Sequence, residues 1–174
     1  MKSTKFIVIC GSFCAVMIAV QLVLSAVAGV ELVTPIFFAF CFVLGLKYGV
    51  AVASVFSVLR CLFFGFSPNV IVLYLVYYNC FALVVGGIGK LFSHCYSIKS
   101  HVVATVLAPI ITAVFTLLDD IITPIMLGFN LLSAKAYFLS SLPIMTTQML
   151  CSLITVAVLF APLVKALKLA IRNK

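Results

Sequence analysis

The chain has 174 residues, of which 66% are hydrophobic and 8% charged, against about 25% charged in an ordinary soluble domain. So few charges cannot clothe a surface in water, so the expected solvent is lipid, and the length allows one membrane domain over 1–174. The net charge of +8 does not suggest a nucleic-acid partner, because the basic residues stand at the ends of apolar runs and not on one aromatic-lined face.

The first apolar run, Phe6 to Ala28, follows Lys2 and Lys5. Its Ala26-Val27-Ala28 end imitates a cleavage site. The run is longer than the apolar core of a signal peptide, about 7–15 residues, and is read as a retained spanning helix. Gly11, Ala15 and Ala19 recur along it at four-residue spacing, a small-residue stripe that lets another helix approach closely in lipid. That stripe would serve either packing inside the bundle or docking of a partner. A break follows at Gly29-Val30-Glu31.

Helix 2 is expected from about Thr34 to Leu46, with Pro35 in its first turn. Gly45, Lys47 and Gly49 are read as a tight turn, and helix 3 as Val50 to Phe64. Both helices are short, as two compressed spans or one re-entrant hairpin. The hairpin would leave Lys47 at membrane depth, which is costly. GFSPN, Gly65 to Asn69, is a loop. Helix 4 is expected over Val70 to about Phe92, helix 5 over His101 to about Gly128, and helix 6 from near Ala134 into a basic tail, Lys165 to Lys174. The fold class is therefore all-α: six transmembrane helices, helices 2 and 3 short. With both termini cytoplasmic, nine of the eleven basic residues fall inside, leaving Arg60 and Lys135 outside, as the positive-inside rule requires. The location is a cell (cytoplasmic) membrane.

Only three acidic residues occur, and two are adjacent: Asp119 and Asp120. Eighteen residues beyond His101, they have risen roughly 27 Å and lie near the outer hydrocarbon boundary. Neighbours on a helix point about 100° apart, so the pair cannot share one face. Three readings stand: contact with a ligand, a structural pair with Arg60, or plain solvation. Other polar residues are expected at the same depth: Glu31 and Thr34 in the first outer loop, Tyr74, Tyr77, Tyr78 and Asn79 in helix 4, and Gln148 in helix 6. The tyrosines fit an interfacial aromatic belt or a stacking surface for a ligand.

Seven scattered cysteines, without a CxxC, read as small helix residues. His94 and His101 are not at ligand spacing from any cysteine pair, so neither a metal nor a cofactor is expected. There is no Walker A, HExxH or GxSxG motif and no catalytic constellation. A polar outer pocket without an energy source suggests a binding subunit that borrows its engine.

In these features the chain resembles the substrate-binding (S) component of energy-coupling factor (ECF) type vitamin transporters. The likeness covers nearly the whole chain: size, six spans, the Gly11-xxx-Ala15-xxx-Ala19 stripe, the segment VELVTPIFFAFCFVLGLKYGVAVASVFSVLRCLFFG with its G-x3-G turn, and the GGIGK end of helix 4. Gly11 stands where the extended AxxxA pattern has alanine, and keeps the surface small. The resemblance implies an ABC importer subunit, not an enzyme. It would bind a vitamin-like micronutrient on the outer side and deliver it through a T subunit and two ATP-binding subunits. Glu31 and Thr34 would lie in the covering loop. Tyr74, Tyr78, Asn79, Asp119, Asp120 and Gln148 would be pocket residues, and Gly11, Ala15 and Ala19 the docking face. The competing expectations are a small membrane enzyme built on Asp119 and Asp120, and an assembly subunit without a ligand.

Overall fold

The computed structural model describes residues 3–26 and 30–172. Lys2, Lys174, and Val27, Ala28 and Gly29 at the expected end of helix 1 lie outside the described residues. Six helices follow in order: α1 (Ser3–Leu24), α2 (Val33–Leu44), α3 (Leu46–Phe64), α4 (Pro68–Leu91), α5 (Ile98–Met126) and α6 (Leu131–Arg172). No strand occurs among the described residues.

Five of these helices are long and apolar enough to cross a membrane, and α2 is not. Its 12 residues reach about 18 Å at 1.5 Å each, short of a hydrocarbon core about 30 Å thick. The expectation that helix 3 is also short is corrected: α3 has 19 residues. The turn needs Gly45 alone, at φ 79°, a backbone region glycine enters without steric cost. The Gly49 N–H already donates to the Gly45 carbonyl at 3.0 Å, so Lys47 and Gly49 belong to the first turn of α3 and not to the loop.

α2 is apolar on every side, and a helix of that kind belongs in an interior. Phe37, Phe38, Phe40 and Phe42 are fully buried in it. They meet Tyr78 and Phe81 of α4, Phe13 of α1 and Phe160 of α6 at ring-centroid distances of 4.0 to 5.8 Å. The other five helices wrap this centre. Close approach is bought with glycine: a Cβ on Gly86 would stand 3.0 Å from the Leu46 backbone, and one on Gly89 would strike the Phe42 carbonyl. That carbonyl, near the C-terminal end of α2, accepts from His94 Nδ1 at 2.6 Å, satisfying a group the helix leaves without a partner. Ser97 and Ser100 form a capping box at the start of α5.

The two ends of the bundle differ in charge. Thr4 and Lys5 lie beside Leu44, Leu167 and Ile171, so the described ends of the chain share one end of the bundle. Lys47, Lys90, Lys99, Lys165 and Lys168 follow the same helix ends. The opposite end holds the connections after α1, α3 and α5. On α1, Cys10, Cys14, Met17 and Ile18 face the core, while Gly11, Ala15 and Ala19 are exposed. The stripe therefore does no packing within the bundle, which removes one of its two expected roles.

Candidate functional site

Where α2 stops short, the bundle is open inside. A cavity of about 350 Å³ lies at the lysine-poor end, within the about 300–1,000 Å³ of small-molecule sites. Its roof is the connection Val30–Leu32 with Val33 at the start of α2, and its walls come from α1, α3, α4, α5 and α6. Four of the expected pocket residues line it: Glu31, Tyr74, Tyr78 and Gln148. Thr34 reaches it indirectly, its hydroxyl donating to Glu31 Oε1 at 2.7 Å.

The roof is tied to α6 by soft contacts. The Glu31 N–H donates to the Cys151 sulfur at 3.3 Å, and the Cys151 thiol donates to the Glu31 carbonyl at 3.5 Å. Burial raises the Glu31 carboxyl above its ordinary pKa, with the Thr34 hydrogen bonds pulling the other way.

Aromatic rings form one wall. Tyr74, Tyr77 and Tyr78 are all buried, which rules out a belt exposed to the membrane interface. Tyr74 and Tyr78 lie 5.3 Å apart between centroids, and Phe115 of α5 meets Tyr77 at 4.7 Å and Tyr74 at 5.5 Å. Polar side chains outside the expected set also line the cavity, Gln21, Ser25 and Arg60 among them. Gln21 of α1 donates through Nε2 to the Tyr74 hydroxyl at 3.1 Å, while its Oε1 is buried without a partner. Arg60 of α3 holds its guanidinium 4.3 Å from the centroid of Tyr74 and 5.0 Å from that of Phe64, and its Nε is buried without a partner. Gln21 and Arg60 each interrupt an apolar helix, a pattern that marks inward-facing groups.

Asp119 and Asp120 are elsewhere. They meet α6 beside a smaller cavity of about 170 Å³, lined in part by Asp119, Tyr137, Ser140 and Ser141. Phe115 and Gln148 line both cavities. Asp119 accepts from Thr123 at 2.6 Å and from the Tyr137 hydroxyl at 2.7 Å. Asn69 donates to Thr123 at 3.0 Å, and Ser67 donates to Asn69. Asp120 accepts from Ser141 at 2.7 Å and leaves Oδ1 buried without a partner. The aspartates therefore bond to hydroxyls between α5 and α6, and Arg60 is engaged with rings, so the expected alternative of an Asp–Arg60 pair does not form.

Asn79 lines neither cavity. Its Nδ2 donates to the Leu75 carbonyl at 2.8 Å, and its Oδ1 accepts from Ser54 at 3.3 Å, which joins α4 to α3. No group of three or more His, Cys, Asp or Glu suited to a metal occurs among the described residues. A scan against protein-family models and searches of curated proteins and of solved structures return no match for this chain.

Proposed function

We propose that the protein is the substrate-binding subunit of an ECF-type importer, and that its small-molecule ligand sits in the cavity beneath the Val30–Leu32 connection. The observation that carries this reading is the cavity itself. It brings a carboxyl, a guanidinium, two amides and three tyrosines together on one set of walls. Polar groups at such depth are costly and mark functional sites in membrane proteins.

The orientation follows from the charges. In this reading the lysine-rich end with both termini is cytoplasmic, the cavity opens to the outside, and α2 is the sixth, short crossing beneath its roof. The exposed Gly11, Ala15 and Ala19 provide the surface on which a T subunit with two ATP-binding subunits docks. An enzyme built on the aspartates has less support, because both oxygens of Asp119 already accept from hydroxyls. Their place in this reading is to fix α6 against α5, one wall away from the ligand.

The test is a mild-detergent pull-down from native membranes, with an Ala15→Leu/Ala19→Leu variant beside the wild type. The expected result is a T subunit and two ATPases with the wild type only. Recovery of the wild type alone, under conditions that keep other such complexes together, would overturn the proposal.

A further inference from the structure

Three features of the cavity constrain the ligand. The first is the state of Arg60. Rings of Tyr74 and Phe64 lie near its guanidinium, and cation–π contacts of this kind do not give Nε an acceptor. Nε is buried and has no partner. A buried donor without an acceptor is expensive, and a guanidinium edge is shaped to take both oxygens of a planar anion.

The second feature is the charge count. Arg60 is the one cationic side chain lining the cavity, and Glu31 lines it too. A single guanidinium balances a monoanion. A dianionic phosphate would keep one charge uncompensated opposite a carboxyl group, so a carboxylate fits better. The third feature is at the α1 side, where Gln21 Oε1 is a buried acceptor without a donor. Between these polar groups stand the tyrosine rings, which offer a stacking surface.

We infer that the ligand is a small aromatic or heteroaromatic carboxylate: its carboxylate takes the Nε edge of Arg60, its ring packs on Tyr74, Tyr77 and Tyr78, and an N–H on the ring answers Gln21. This rests on the reading of the cavity as a ligand site, and adds the chemical class.

The probe is 4-aminobenzoate, with 4-aminobenzamide as its neutral counterpart and benzoate as the form without the amine. Binding to the full-length protein in mild detergent is measured by titration calorimetry. The expected result is binding of 4-aminobenzoate at least tenfold tighter than 4-aminobenzamide and measurably tighter than benzoate. Arg60→Gln brings the carboxylate down to the level of the amide, and Arg60→Lys does not restore it, since an ammonium has no planar fork. Gln21→Ala removes the preference over benzoate and leaves the preference over the amide.

Equal affinities for carboxylate and amide, or no binding of either to folded wild type, would overturn the inference. So would an Arg60→Gln variant that binds as the wild type does. If Arg60→Gln does not fold, the comparison of carboxylate with amide on the wild type decides alone. The pull-down above keeps the two readings apart. Partners recovered without carboxylate binding sink only the ligand class, and carboxylate binding without partners sinks only the transporter.

Discussion

Glu31 is the residue whose environment has the most direct consequence in solution. Burial raises its pKa in the folded protein, so between the unfolded and folded pKa the native state binds more protons than the unfolded chain. Its contribution to stability is complete below the ordinary carboxylate pKa and is lost as pH rises through the raised folded value. The expected outcome is that wild type loses thermal stability relative to Glu31→Gln as pH rises from about 4 to 8, at fixed salt. Parallel melting curves for the two proteins over that range would show that the carboxyl is not held protonated. At the other acidic site, Tyr137→Phe removes one donor to Asp119. Interhelical hydrogen bonds in membranes average about 0.6 kcal/mol and reach about 1.7, so the cost in unfolding free energy is expected within that range. Affinity for a ligand of the larger cavity should not change, and a tenfold loss would place Tyr137 in the binding machinery instead.

The helices carry predictions of their own. Gly87 and Gly89 lie two residues apart on α4 but differ in surroundings: a Cβ at Gly87 meets nothing within 4 Å, and one at Gly89 meets the Phe42 carbonyl. Gly89→Ala is expected to destabilise by about 1–3 kcal/mol through overpacking. Gly87→Ala should be neutral or stabilising by up to about 1 kcal/mol through helix propensity. Denaturation of the two variants side by side checks both signs. The extent of the helices was legible in hydropathy, because apolar length in lipid leaves few alternatives. The start of α3 was not. Gly45, Lys47 and Gly49 together look like a turn, and nothing in composition says that Gly45 suffices while Gly49 leaves room where a Cβ would stand 2.9 Å from Cys41 Sγ. The site divided in the same way. Glu31, Tyr74, Tyr78 and Gln148, grouped by depth in the sequence, do line one cavity. The aspartates stand beside a different cavity, since sequence gives height along a helix far better than azimuth around it. Gln21 and Arg60 were within reach of the rule applied to Gln148, that an amide or a charge in an apolar helix turns inward.

For the whole molecule, the decisive measurement is orientation. All seven cysteines are free and only Cys80 and Cys95 are exposed. Cys80 is in the middle of α4, and Cys95 is in the connection between α4 and α5 at the lysine-rich end. A membrane-impermeant thiol reagent is therefore expected to modify Cys95 in inside-out vesicles and to leave it untouched in right-side-out ones. The opposite pattern would reverse the bundle and put the cavity on the cytoplasmic side.

The shortness of α2 has one more consequence. A helix that began two or three turns earlier would run through the volume now enclosed by Gln21, Arg60 and the tyrosines. The cavity is the missing first part of a span, and a bound molecule would stand in for it as a guest segment of the protein's own interior. Recognition and folding then become one thermodynamic quantity: occupancy at 100 times Kd adds about 2.7 kcal/mol to unfolding. A melting temperature that climbs with added compound would then serve as the binding isotherm, with no label and no transport assay.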